Sequence, residues 1–135
     1  MNKKFLISVV GLFVVSMLLG FVVHGAILHA EYAKLPQLFR SDSSAQSYFG
    51  FMLLAHVFIA IGVTWVYQRG HEAGKPFVAQ GLRFGAALAV LVTIPMYLIY
   101  FAVQPMPSDL VAQQIVFDSI SMLILGVAAA WLNKG

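Results

Sequence analysis

The stretch Ala112-Gln113-Gln114-Ile115-Val116-Phe117-Asp118-Ser119-Ile120-Ser121 decides how this chain must fold. Asp118 is the only acidic residue in the four long apolar segments of the sequence, and apolar residues continue beyond it to Trp131. An ionisable group deep in hydrocarbon costs at least about 2.5 kcal/mol unless it is paired, protonated or wetted. The fold must therefore bring polar partners to Asp118, and the other three segments are the candidates to supply them.

Composition predicts a membrane protein. Of the 135 residues, 61% are hydrophobic and only 10% are charged, whereas soluble domains carry about 25% charged residues. The chain has no cysteine, which excludes disulfides, thiolate metal sites, iron–sulfur clusters and thiol catalysis. The formal net charge of +3 comes from basic residues near the ends of the apolar segments, so we expect no nucleic-acid partner.

Segment lengths predict an all-α membrane protein with a single domain, a four-transmembrane-helix bundle. A helix needs about 20 apolar residues to cross the hydrocarbon core. The first segment is about twice as long as the apolar part of a signal peptide, so we interpret it as a membrane span. Pro95 is expected to kink the third helix. The predicted spans are about 5–28, 47–67, 80–103 and 110–132.

The distribution of lysine and arginine predicts the orientation, since cytoplasmic loops are enriched in these residues. Only Lys34 and Arg40 fall in the first connection, between spans one and two. The basic residues of the opposite side are Lys3, Lys4, Arg69, Lys75, Arg83 and Lys134. We therefore expect both termini in the cytoplasm and a multi-pass membrane protein, with the lipid bilayer as its first partner.

Small residues at helical spacing predict where the helices touch. Helices in lipid associate through close packing of small residues and through polar contacts, because lipid is as apolar as leucine. The third span carries Gly81, Gly85 and Ala89 at intervals of four residues, and the first carries Ser16 and Gly20 at the same interval. We expect these five residues to form ordinary helix–helix contacts.

The helical rise predicts the depth of each polar side chain. At 1.5 Å per residue, His56 and Asp118 lie roughly 13 Å and 12 Å below the outer ends of their spans. Tyr97 lies roughly 9 Å deep, while His24 and Gln114 lie roughly 7 Å and 6 Å deep. The five residues are therefore expected in the outer half of one bundle, with His56 facing Asp118.

Two interpretations of the Asp118 and His56 pair remain open. A hydrogen bond between helices could simply fix their packing, although such bonds average only about 0.6 kcal/mol. Alternatively, Asp118 holds a proton, a cation or a basic ligand group, and His56 shares the proton. Tyr97, Gln114 and His24 would then complete the polar lining of a ligand-binding or proton-binding site.

Cofactor chemistry has weaker support in the sequence. Haem b or a metal would have to use His24 and His56, whose predicted depths differ by roughly 6 Å. No ligand-pair motif for a metal is present, so we predict neither a metal site nor a cofactor.

Enzyme motifs are also absent from the sequence, which has no phosphate-binding glycine loop, nucleophile elbow or metalloprotease helix motif. We therefore expect a non-enzymatic binding or accessory protein, in a homo-oligomer or a larger membrane complex. The alternatives are a proton-coupled small-molecule transporter that works as a dimer and a haem-binding or metal-binding membrane subunit.

Four segments resemble a group of small bacterial four-helix inner-membrane proteins, catalogued as domains of unknown function. The resemblance covers roughly the last two-thirds of the chain, and it implies a bacterial four-helix membrane protein without an assigned activity or transferable site residues. The segments are Tyr67-Gln68-Arg69-Gly70, Gln80-Gly81-Leu82-Arg83-Phe84-Gly85, Pro95-Met96-Tyr97-Leu98-Ile99-Tyr100 and Ile115-Val116-Phe117-Asp118.

Overall fold

A computed structural model describes residues 2–134, and this part of the chain consists of helices and connections without any strand. Four of the helices are long and apolar enough to cross a membrane, which confirms the predicted all-α four-helix bundle. The helices are α1 (Lys3–Ile27), α2 (His29–Ala33), α3 (Asp42–Ser47), α4 (Phe49–Gly70), α5 (Phe77–Val103) and α6 (Ser108–Leu132).

The helix ends differ from the predicted ones by a few residues. α4 begins at Phe49 because Asp42–Ser47 form the separate helix α3, which Ser41 caps by accepting a hydrogen bond from the Ser44 amide. α5 begins at Phe77, directly after Pro76. Proline suits a helix start because it has no backbone N–H that would be left without a hydrogen-bond partner there.

The two termini lie at the same end of the bundle, which we call the terminal end. There the side-chain amide of Asn133 donates a hydrogen bond to Ser8 Oγ at 3.0 Å. The α4–α5 connection lies at the terminal end as well. The opposite end, called the distal end, carries the connection that contains α2 and α3 and the short connection 104–107.

Three glycines allow α5 and α6 to pack backbone against backbone. A Cβ at Gly81 would lie 2.5 Å from Val127 Cα, and a Cβ at Gly126 would lie 2.6 Å from the Gly85 amide nitrogen. Real side chains never come that close, so these positions accept only glycine without movement of a helix. The predicted contacts of Gly81 and Gly85 are present, and Ala89 is also buried.

α1 occupies the middle of the bundle, where it packs against both α4 and α6. The predicted contact residues of α1 lie on its α4 side. Ser16 is buried and bonded to His56, and a Cβ at Gly20 would make ordinary van der Waals contact with the His56 ring.

Four neutral polar side chains connect α1, α4 and the end of α6 near the terminal end. Asn133 is only 2% exposed and bonds to three groups, Ser8 Oγ, the Ala129 carbonyl and the Gln68 amide. Ser8 Oγ also lies 3.0 Å from Thr64 Oγ1. This set, called the terminal cluster, consists of Ser8, Thr64, Gln68 and Asn133.

Two of the membrane helices contain wider, π-helical turns. In α1 this segment is Phe21–Ile27, and in α5 it is Ala89–Thr93. The second lies just before Pro95, whose missing N–H leaves the carbonyl of Leu91 without its usual helical partner. The predicted irregularity at Pro95 therefore takes the form of a π-helical segment, and such segments are frequent at functional sites.

Candidate functional site

Three membrane helices present polar side chains to the Asp118 carboxylate in the distal half of the bundle. His24 Nε2, from the π-helical segment of α1, lies 3.0 Å and 3.1 Å from the two carboxylate oxygens. The Tyr97 hydroxyl, from α5, donates a short hydrogen bond to Oδ2. Because a carboxylate can only accept hydrogen bonds, His24 Nε2 carries the hydrogen in this contact.

His24, and not His56, is the partner of Asp118, which corrects the expected pairing. His56 Nδ1 lies 2.9 Å from Ser16 Oγ, in a contact between α4 and α1 that does not include Asp118. Depths counted from the end of each helix were misleading because the helices do not end at a common level. Leu28, just beyond α1, packs in one cluster with Leu110 and Val111 of α6, so α6 begins beyond the end of α1.

The α1 backbone places His24 beside Asp118. Once Leu28 lies beside Leu110 and Val111, His24 is one turn deeper, level with the Gln114-to-Asp118 turn of α6. The contact therefore depends on how the two helices align, and neither helix specifies that alignment in its own sequence.

Tyr32 joins the site from α2, a contribution that sequence reasoning missed. Its hydroxyl lies 2.5 Å from His24 Nδ1, and the Gln114 side-chain amide donates to the same hydroxyl at 3.2 Å. Burial raises the pKa of Tyr32 above its ordinary value, so this phenol keeps its proton at neutral pH. The only signal in the sequence was a tyrosine near the start of the first connection.

The hydrogen bonds have a single direction when His24 is neutral. Since Nε2 carries the ring hydrogen, Nδ1 accepts from the Tyr32 hydroxyl, and the Tyr32 oxygen accepts from Gln114. Each donor therefore points along the chain Gln114, Tyr32, His24, Asp118, towards the carboxylate. A chain of this kind stabilises the negative charge more than isolated bonds would.

Apolar residues enclose the distal side of this polar cluster. Val23, Leu28, Tyr97 and residues of α6 form a buried core there, and the first connection covers it with Tyr32, Leu35, Leu38 and Phe39. The Tyr32 ring stacks on His24 at 5.8 Å and on Phe39 at 4.4 Å between ring centroids. The surroundings are therefore of low polarity, which strengthens electrostatic contacts and penalises unpaired polar atoms.

The cluster is not fully enclosed. The His24 side chain is 34% exposed and the Asp118 side chain 18% exposed, while Tyr97 and Gln114 are buried. His24 is therefore the most exposed of these four side chains. Gln114 Oε1 is fully enclosed and has no hydrogen-bond partner among the described residues.

Metal ligation at this site would compete with the hydrogen bonds that are already present. In the described part of the chain, no three His, Cys, Asp or Glu side chains come together as a metal site would require. Both ring nitrogens of His24 are bonded to protein groups, so a metal would have to displace Asp118 or Tyr32.

A second group of charged side chains lies at the terminal end, in the α4–α5 connection. Glu72 pairs with Lys75 and, at 3.7 Å, with Arg83. Gln80 holds the same connection through hydrogen bonds with the Glu72 amide and carbonyl and with the Lys75 carbonyl. A shallow pocket of about 260 Å³ opens beside it. Its polar groups pair with each other, and nothing indicates a ligand.

Comparison of the chain with protein-family models, curated proteins and solved structures finds no match. The cluster around Asp118 is therefore the feature of this chain that indicates a function.

Proposed function

We propose that this chain is a non-enzymatic integral membrane protein that binds a proton reversibly at Asp118 and His24. In this proposal it crosses the inner membrane of a bacterium four times, with both termini in the cytoplasm and the distal end outside. The likeness to small bacterial four-helix membrane proteins supports that location. The proton enters from the outer side, where His24 is partly exposed.

The observation that carries the proposal is the carboxylate of Asp118, held inside a membrane helix by His24 and Tyr97. Burying an acid at such a depth costs about 2.5 kcal/mol or more. A hydrogen bond between membrane helices returns on average only about 0.6 kcal/mol. Helix packing alone therefore does not explain why an acidic residue is buried here. Exchange of a proton with His24 does explain it.

The chemistry of the pair suits this role. A carboxylate and an imidazole in contact titrate as one unit, with proton affinities that belong to the pair. Histidine is the side chain whose ordinary titration lies closest to physiological pH. Reversible protonation of this pair would also be a step in a proton-coupled transporter. Such a transporter would additionally bind a ligand, with an affinity that depends on pH.

Carboxylate infrared titration of the purified protein tests the proposal. Asp118→Asn identifies the Asp118 band, and we expect that band to change as the pH is lowered. His24→Ala should shift its midpoint by at least one pH unit, roughly tenfold in proton affinity, because it removes the contact at 3.0 Å.

His56→Ala is the matched control, since it removes a histidine of the same bundle that touches Ser16 and not Asp118. The midpoint of the Asp118 titration in this variant should equal the midpoint in the unmodified protein. An Asp118 band that never responds to pH, together with a His24 that stays neutral in a chain where Asp118→Asn folds normally, would contradict proton binding. Equal shifts in both histidine variants would contradict the assignment of His24.

A subunit role in a homo-oligomer or a larger membrane complex is the second candidate, and in that role a partner helix would pack on the distal half of α4 in place of lipid. The distal half of α4 exposes large apolar side chains around its circumference, including Phe51 at 71% and Phe58 at 66%. Cross-linking in native membranes from a cysteine placed at Phe58 tests this role. Discrete products of defined mass support it, and a monomer alone contradicts it.

A further inference from the structure

Gln114 Oε1 is one of two buried side-chain atoms without a hydrogen-bond partner among the described residues, and the other is Ser119 Oγ. Gln114 is 4% exposed, its Nε2 donates to Tyr32, and its Oε1 is enclosed without a partner among the described residues. Leaving a buried polar atom unpaired is destabilising, because the atom loses its hydrogen bonds to water and gains none in the protein. An amide at this position therefore needs a reason that a packing contact does not supply.

Protonation of His24 supplies that reason. When one proton is taken up, Nδ1 gains an N–H bond, and both ring nitrogens become donors. Tyr32 keeps its own proton but can no longer give it to His24, so its oxygen accepts from Nδ1 and its hydroxyl needs another acceptor. The group already in contact with that hydroxyl is the Gln114 amide.

Rotation of the amide by half a turn brings Oε1 to the Tyr32 hydroxyl. The two ends of an amide are nearly equal in size, so the rotation changes hydrogen bonding and leaves packing unchanged. In either orientation one end of the amide faces Tyr32, and the other faces the position where no protein partner is present. The state of Tyr32 therefore decides the orientation.

We infer that Tyr32 and Gln114 form a reversible hydrogen-bond chain whose direction follows the protonation of His24, so that Gln114 regulates how tightly the site holds its proton. With neutral His24 the donors run from Gln114 to His24, and with the imidazolium they run from His24 to Gln114. The inference rests on the proposed function and assigns Gln114 and Tyr32 as positioning residues.

Few other groups can influence this chain. The titratable side chains that face His24 are Asp118 from α6 and Tyr32 from α2, and Tyr97 from α5 reaches the same carboxylate. The nearest charges of the first connection, Glu31 and Lys34, pair with each other at 3.0 Å.

Nitrogen-15 NMR of histidine-labelled full-length protein in bilayers tests the inference, with His24→Ala used to assign the signals. Neutral His24 should carry hydrogen on Nε2, and acidification should place hydrogen on both nitrogens. Gln114→Met removes the acceptor of the Tyr32 hydroxyl and should lower the midpoint by about one pH unit, a tenfold loss of proton affinity. Gln114→Glu, which provides an acceptor and a negative charge, should raise the midpoint.

Gln113→Met is the matched control, since Gln113 is the adjacent glutamine of the same helix and has no described contact with His24. It should leave the midpoint unchanged. As a second measurement, the isotope-labelled side-chain carbonyl of Gln114 should move to lower infrared frequency as His24 becomes protonated. Tyr32→Phe should abolish that movement.

The outcomes separate this inference from the proposed function. If Gln114→Met and Gln113→Met behave alike, or if the Gln114 carbonyl does not respond to acidification, the reversing chain is wrong while proton binding stands. If Asp118 titrates but His24 stays neutral, the chain is again wrong. If neither Asp118 nor His24 titrates, the proposed function itself fails.

Discussion

The terminal cluster and the cluster around Asp118 both join side chains from separate helices, yet they differ in charge and in completeness. In the terminal cluster all members are neutral, and Asn133 uses both ends of its amide in hydrogen bonds. The distal cluster contains a carboxylate and an imidazole, and its Gln114 leaves one atom unpaired.

The comparison indicates that polar side chains have two different roles in this membrane bundle. A neutral cluster without a titratable group keeps the same charge near neutral pH, so its hydrogen bonds specify how the helices align. A charged cluster with a spare acceptor has at least two arrangements of its protons, so it can respond to pH. The nearby backbone agrees with this division, because α1 and α5 are π-helical near the distal cluster and regular near the terminal end.

The largest expected effect comes from Gly126→Ala, which should disrupt the close packing of α5 and α6. The added methyl group would lie 2.6 Å from the Gly85 amide nitrogen, and backbone atoms cannot move aside as a flexible side chain can. We expect a loss of about 3 kcal/mol in the free energy of unfolding, measured in mixed micelles.

Gly62→Ala is the control for that substitution. A Cβ at Gly62 meets no atom within 4 Å, so alanine there should leave stability unchanged or raise it slightly through helix propensity. Equal stabilities of the two alanine variants would show that the glycine contact does not hold α5 against α6.

A smaller effect is expected from Asn133→Leu, which tests whether the terminal cluster is purely structural. The substitution leaves Gln68 without an acceptor and Ser8 without a donor, and we expect a loss of about 1–2 kcal/mol in the free energy of unfolding. Thr64→Val, which removes a single hydrogen bond, should cost only about 0.6 kcal/mol.

The same variants sharpen the comparison through the infrared titration of Asp118. Because the terminal cluster lies at the other end of the bundle, the Asp118 midpoint should stay the same in Asn133→Leu. A shift comparable to that of His24→Ala would mean that the two clusters are coupled, and the division between them would be wrong.

The smallest expected effect concerns Glu72, an exposed charge of the α4–α5 connection. The ion pair with Lys75, and secondarily Arg83, lowers the Glu72 pKa below its ordinary value of 4.5. A lowered folded-state pKa contributes stability that is present above about pH 4.5 and lost as the pH falls through the folded value. The stability difference between the unmodified protein and Glu72→Gln should therefore shrink from pH 6 to pH 3.

The free energy of unfolding of both proteins, measured at pH 6 and pH 3, gives this difference. The distal cluster is the same in both proteins, so its own pH dependence cancels when one value is subtracted from the other. Lys75→Met is the control, since without its main partner Glu72→Gln should have almost no pH-dependent effect. A difference that persists at pH 3 would contradict the role of the ion pair.

Several features of the fold could be predicted from the sequence because each depends on one helix at a time. Apolar segment lengths predicted the four helices, and the spacing of Gly81 and Gly85 predicted a close helix contact. Gly126 was not predicted as a contact residue although Ala130 lies four positions beyond it, because its role is recognised only beside Gly85.

The pairing of Asp118 could not be predicted because it depends on how two helices align. Depth along each helix favoured His56, whereas the position of Leu28 against α6 brings His24 to the carboxylate. Tyr32 was missed for the same reason, since a residue of a connection reaches the site only when that connection folds back over it. Asp118 itself was identified because an acidic residue in an apolar segment can be recognised from the sequence without knowledge of its partner.

The π-helical segment of α1 has a consequence for the length of the chain. A π-helical turn holds one residue more than an α-helical turn, so the segment Phe21–Ile27 is equivalent to a regular helix with one residue inserted. Removing one residue from the regular part of α1 before this segment, such as Val14, would turn the imidazole by about 100° around the helix axis if the π-helical segment kept its extra residue. The reach of His24 towards Asp118 therefore depends on the number of residues that precede it, and a deletion of three nucleotides could separate the pair without changing any polar side chain.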